Sequence, residues 1–121
     1  MKKNNLYLIV FALLLCSCGS FVTKTGKASF YSDGLAGHKT ANGEKYRPTE
    51  YTAAHKKLPF GTKVTVTNVS NGKSVTVRIN DRGPFVAGRI IDVSKAAAKD
   101  LGMINAGVAK VKIKYKKKKN S

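Results

Sequence analysis

Apolar and polar residues alternate along "TKVTVTNV", Thr62 to Val69, and again along "KSVTVRIN", Lys73 to Asn80. A period of two puts every second side chain on one face, so each run reads as a strand with one buried face. Between them lies "SNG", and Asn71-Gly72 suits a tight hairpin turn that needs positive φ. "KASFYS" alternates and is rich in aromatics, fitting a first strand. "GRIIDVS" is a shorter apolar strand, and "GVAKVKIKY", Gly107 to Tyr115, alternates again and closes the domain. In "SKAAAKDLG", Ser94 can cap a short helix that Gly102 ends. The segment "SDGLAGHKTANGE", Ser32 to Glu44, is full of Gly, Asn and Asp and reads as a long loop, a kind of segment that is often functional. Five or six strands and one short helix predict a mainly β domain closed into a small barrel, because closure removes the edges that short strands would leave. No internal repeat is visible.

The first residues follow another pattern. "MKKNN" supplies two lysines and "LYLIVFALLLC" an apolar run too short to span a membrane comfortably, the layout of a secretory signal. "LCSC", Leu15 to Cys18, resembles the bacterial lipobox. Cys18 fits the modified position better than Cys16, which the bulky Leu15 precedes. The alternative is a short N-terminal helix with two ordinary thiols. The lipobox reading predicts a signal peptide over residues 1–17, a lipidated tether over 18–25, a folded domain over 26–115 and a basic tail over 116–121. It places the protein in the cell envelope, lipid-anchored and facing the periplasm or wall. Gly19 after Cys18 is compatible with an outer membrane where the organism has one. Loss of Cys16 with the signal and acylation of Cys18 leave no disulfide, so the fold must rest on its core.

A chain of 121 residues is expected to hold one domain. Its formal charge of +17 is of a kind that often points to nucleic acid. An export signal argues against that partner and leaves wall carboxylates and anionic lipid head groups. Part of the charge lies in "KYKKKK", Lys114 to Lys119, a solvated tail or a wall-binding one.

Six acids occur in the chain: Asp33, Glu44, Glu50, Asp81, Asp92 and Asp100. Asp100 lies beside Lys99 in the short helix, Glu50 has no special context near Arg47, and Asp33 precedes Gly34 in a turn. Asp92 follows two isoleucines and reads as a buried acceptor at a strand end or as part of a site, with structure the favoured reading. Glu44 in "TANGE" and Asp81 in "RINDRGPF" remain. Asp81 stands where a rigid strand can aim it, although an aspartate before "RGP" is also an ordinary loop acceptor. Alternation sets Arg78 and Asn80 together on one face of that strand. His55, in "YTAAHKKLPFG", is one of two histidines. No HxH, HxxxH or HExxH spacing supports a metal, and neither a nucleophile elbow nor a free thiol supports covalent catalysis.

The blocks "GKASFYSDGLAGHKTANGEKY", "YTAAHKKLPFGTKVTVTNVSNGKSVTVRINDRGPF" and "GRIIDVSKAAAKDLGM" resemble, in order, the core of the RlpA-like family of rare lipoprotein A proteins. The resemblance runs from about Gly26 to Tyr115. It implies a six-stranded double-psi β-barrel with one or two short helices. It also implies an endolytic peptidoglycan lytic transglycosylase, which cleaves between N-acetylmuramic acid and N-acetylglucosamine without water and leaves a 1,6-anhydro ring. The matching functional positions are Asp81, Glu44 and His55, with Asp81 expected to act first as acid and then as base. Glu44 would stabilise the oxocarbenium charge or tune Asp81, and His55 would orient a carboxylate or a substrate acetamido group. Tyr31, Lys39, Asn42 and Arg82 are candidate glycan contacts. The implied partners are glycan strands and the anchoring membrane, without nucleic acid, cofactor or metal. Many members carry a C-terminal SPOR domain that recognises denuded glycan. This chain ends at Ser121, so septal targeting by such a module is not expected from it. A non-catalytic glycan-binding or wall-loosening barrel, like the expansins, is the competing reading, and a purely structural lipoprotein is a third.

Overall fold

The computed structural model describes residues 20–117. In chain order the strands are β1 (Phe21–Phe30), β2 (Thr52–Ala54), β3 (Lys63–Asn68), β4 (Ser74–Asp81), β5 (Arg89–Val93) and β6 (Ala109–Lys116), with helix α1 (Lys95–Asp100) between the last two. They close into a barrel in the order β1-β5-β2-β4-β3-β6. The β1–β5 and β2–β4 pairs are parallel, and the other four are antiparallel.

Alternation explains the interior. Val64 and Val66 of β3, Val77 and Ile79 of β4, Ile91 and Val93 of β5, and Val111 and Ile113 of β6 all point inward and are buried. Ala97, Ala98, Leu101 and Met103 join the same core from α1 and the turn after it. Ser94 caps the helix as expected, its Oγ accepting from the Ala97 amide at 3.3 Å.

Three features depart from the sequence-based expectation. The β3–β4 turn uses positive φ at Gly72 alone, at 76°, with no non-glycine residue in that region. Asn71 serves the fold with its side chain instead: its amide and that of buried Asn68 both donate to the Leu101 carbonyl, at 3.0 and 2.9 Å. Secondly, β1 begins at Phe21, inside the segment read as a tether, because Phe21 to Lys27 pair with Lys116 to Lys110. Thirdly, β2 is an unforeseen strand. Its Thr52, Ala53 and Ala54 show no alternation in the sequence, and all three are buried between β4 and β5.

Replacing Asn68 by Ala removes the bond to Leu101 and the Oδ1 acceptor of the Ser70 amide and hydroxyl. Loss of these bonds at a buried joint is expected to cost about 1–3 kcal/mol, read as a lower denaturation midpoint with an unchanged slope.

Candidate active site

Simple alternation along β4 would turn Asp81 inward with Val75, Val77 and Ile79, into an apolar core where a carboxylate would be costly. The β2–β4 register prevents this. Ala53 pairs with Ile79, but the next residue, Ala54, pairs with Asp81. Asn80 is therefore the extra residue of a bulge, and bulges re-aim side chains beside sites. Asn80 is buried under the loop before β2, its carbonyl accepting from the Asn42 amide at 3.2 Å, while Asp81 turns to the outer face.

On that face Asp81 meets a second acid. Ala54 pairs with Asp81 on one side and with Asp92 on the other, and Asp92 pairs with Ser29 of β1. A row Asp81–Ala54–Asp92–Ser29 thus crosses four neighbouring strands. The two acids stand two strand spacings apart, about 9–10 Å between backbones. Ala54, itself buried, lies between them and lines the groove. The groove holds about 310 Å³, and its lining includes Ser29, Tyr31, Ala54, Asp81, Arg82, Arg89 and Asp92.

Three donors fix Asp81. The Tyr31 hydroxyl donates to Oδ2. The backbone amides of Ala41 and Arg82 donate to Oδ1 at 2.8 and 2.9 Å. Burial, and then the bond to Asp81, push the Tyr31 phenol up from its ordinary range, so Tyr31 remains a donor. Its ring stacks on Tyr46 with centroids 4.4 Å apart. Asp92 accepts from the Ser29 hydroxyl.

Glu44 does not reach the groove. Arg78 grips it with two nitrogens at 2.6 and 3.0 Å, and the Asn42 amide donates to it at 2.7 Å. The Arg78 bonds, with the Asn42 bond next, hold its carboxyl down to about 2. This pair clamps the 40–44 loop to β4 and so delivers the Ala41 amide to Asp81. His55 sits beside the site through its backbone, whose amide donates to the Asp81 carbonyl at 3.1 Å. Its Nδ1 accepts from the Lys57 and Leu58 amides at 3.1 and 3.0 Å, so the ring's remaining proton is on Nε2. Burial, then Arg82, Lys24 and Lys56, hold the imidazole below its ordinary value. The Arg82 guanidinium donates to the His55 and Leu58 carbonyls and lies 4.0 Å over Phe60. Neither it nor Arg78 bonds to the Asp81 carboxylate. Lys39 is exposed, bridged to Lys45 outside the groove lining. Cys18 lies outside the described residues.

The structure therefore brings Asp81, Tyr31 and Arg82 to one groove and holds Glu44 and Asn42 one layer behind. Asp92, for which a structural role was the favoured reading of the sequence, joins the groove, as do Ser29 and Ala54, which the sequence did not single out. The signal available for Asp92 was an acid between two inward positions of an apolar strand.

Residues 23–113 match the family model described as lytic transglycolase. The chain belongs to the lytic transglycolase family. Within it, the protein is an RlpA-like double-psi β-barrel. It is 59% identical over 91 residues to the endolytic peptidoglycan transglycosylase RlpA of Neisseria meningitidis, covering 75% of this chain and 38% of that protein. To the protein of the same name from Vibrio cholerae it is 56% identical over 91 residues, covering 75% of this chain and 35% of the relative. The chain thus spans well under half the length of these curated relatives. Among solved structures, a Streptomyces papain inhibitor superposes with a TM-score of 0.64 at 24% identity, over 79% of this chain and 96% of that one. An expansin of Clavibacter michiganensis superposes at 0.63 with 22% identity, over 83% of this chain and 53% of the expansin. These two likenesses concern the fold alone.

The clamp is testable by acid titration. Because the Glu44 carboxyl is held below its ordinary 4.5, it stabilises the folded chain fully above that value and loses the effect as pH falls towards about 2. Glu44→Gln is expected to be less stable than the parent at neutral pH, with the gap closing below pH 4.5 in denaturation curves. A gap that does not change with pH would mean that the Glu44 charge does not hold the loop.

Proposed function

We propose that this barrel is the catalytic unit of a peptidoglycan lytic transglycosylase, lipid-anchored to the cell envelope at Cys18. The observation that carries the reading is the pair Asp81 and Asp92, facing one another across Ala54 in an open groove. The names of the curated relatives support the substrate, a glycan strand of alternating N-acetylglucosamine and N-acetylmuramic acid.

The chemistry needs proton transfer and charge stabilisation, with no water as nucleophile. Asp81 gives a proton to the glycosidic oxygen as the bond from that oxygen to C1 of the muramyl sugar breaks. Positive charge spreads over C1 and the ring oxygen, and Asp92, from the other side of Ala54, stabilises it. The muramyl 6-hydroxyl then attacks C1, and its proton passes to the Asp81 carboxylate. A 1,6-anhydro ring forms, the N-acetylglucosamine leaves with its hydroxyl restored, and Asp81 ends as it began. Tyr31, Ala41 and Arg82 hold Asp81 in place throughout, so it needs no rearrangement during the step. Glu44 and His55 are positioning residues in this scheme: Glu44 through the loop that carries Ala41, and His55 through the turn it shares with Arg82.

Mass spectrometry of purified glycan strands, with and without stem peptides, after incubation with the full chain is expected to show 1,6-anhydromuramyl ends. Asp81→Asn is expected to lose about 10²–10⁴-fold in rate, as removal of a positioned proton donor does. Asp92→Asn is expected to lose less. Reducing ends in place of anhydro ends would make the enzyme a hydrolase. Binding without any product would make the barrel a glycan-binding module of the expansin kind.

A further inference from the structure

The wall of the barrel away from the groove carries a ladder of charge. Lys110, Lys112, Lys114 and Lys116 occupy the outward positions of β6, all exposed, with Val111 and Ile113 buried between them. Successive lysines are about 7 Å apart along the strand. Hydroxyl rows flank them: Thr25 and Thr67 stand either side of Lys112, and Thr23 and Thr65 either side of Lys114. Lys27 lies opposite Lys110, and Lys63 adds a further exposed cation on β3. Strands β1, β3 and β6 contain no Asp or Glu, so no acid of this face neutralises the ladder.

Two further observations give this charge a direction. In the closed order β1-β5-β2-β4-β3-β6, the groove is centred on β5 and β2, and the positions across the ring are β3 and β6. The ladder and the groove therefore face opposite ways. The Lys116 end of the ladder also adjoins the point where the chain enters the barrel. Phe21 pairs with Lys116, and the Ser20 carbonyl accepts from the Lys117 amide at 2.9 Å. Phe21 is 59% exposed, with the Lys114 ammonium 4.7 Å over its ring. Cys18 precedes Ser20 by two residues, a reach of at most about 7 Å.

We infer that the β6 face docks on an anionic phospholipid surface and thereby holds the groove on the side turned away from the bilayer. The inference rests on the lipid anchor at Cys18 and not on the reaction assigned to the groove. An anchor at Cys18 brings the Lys116 end of the ladder to the head groups, where an exposed aromatic beside lysines is at home. A lipid chain and a basic face are the two signals that together make membrane attachment stable. A wall polymer seated on the same lysines would lie across the barrel from the groove that has to receive glycan.

The test compares the full chain with a Lys112→Gln, Lys114→Gln, Lys116→Gln variant on vesicles of pure phosphatidylcholine and on vesicles enriched in phosphatidylglycerol. All three side chains are exposed and outside the groove, so folding and glycan cleavage in solution should be unchanged. The parent is expected to prefer the anionic vesicles, a preference that salt abolishes. The variant should lose about 10²-fold of it, since each lysine near an anionic surface is worth roughly fivefold. A variant that keeps the parent's preference would overturn the inference. So would an equal loss of binding to isolated wall bearing stem-peptide carboxylates, which would make a polymer the occupant. Mass spectrometry of Cys18 reads the anchor separately, so an absent lipid is distinguished from an inactive docking face.

Discussion

A single extra residue on β4 decides what this barrel can do. Where Ala53 and Ala54 advance one position, the partner strand advances two, from Ile79 to Asp81, and Asn80 is left out of register. Without that slip, period-two alternation would send the Asp81 carboxylate into a core of valine and isoleucine. With it, the same strand that supplies Val77 and Ile79 to the interior also supplies an acid to the outside. The slip is held in place because Asn80 is not stranded: its carbonyl accepts from Asn42 and its amide lies 3.4 Å from Glu44.

That arrangement makes the 40–44 loop part of the site without any of its side chains bonding to Asp81. The bidentate Arg78–Glu44 pair fastens the loop to the outer face of β4, and the loop in turn offers the Ala41 amide to Asp81. Charge-assisted bidentate bonds fix direction as well as distance, which suits a clamp whose purpose is alignment. It also disposes of the two guanidiniums that flank Asp81 in the sequence. Arg78 is occupied by Glu44, and Arg82 by two carbonyls and the Phe60 ring. The barrel thus separates its charges by strand, with acids over β5 and β4 and a lysine face over β6.

Much of this was legible before the structure. Long alternating runs announced β3, β4 and β6, and Ser94 announced the helix, because local patterning alone determines those elements. The motifs around Asp81, Glu44 and His55 pointed to one family. What was not legible depended on pairing between distant segments. β2 is three small residues whose strand character comes from its neighbours, and the first part of β1 is a strand because Lys110 to Lys116 lie beside it. The proximity of Asp92 to Asp81 is the sharpest case. They are eleven positions apart in sequence, and only their shared partner Ala54 makes them neighbours.

The central claim is that glycan is cleaved between Asp81 and Asp92, above Ala54. The most direct measurement is a crystal structure of the Asp81→Asn protein with a bound oligosaccharide of alternating N-acetylglucosamine and N-acetylmuramic acid. The account predicts the muramyl C1 above the Ala54 methyl, with its glycosidic oxygen within hydrogen-bonding reach of residue 81. A glycan seated elsewhere on the barrel, or one crossing the groove with no glycosidic oxygen near residue 81, would contradict it.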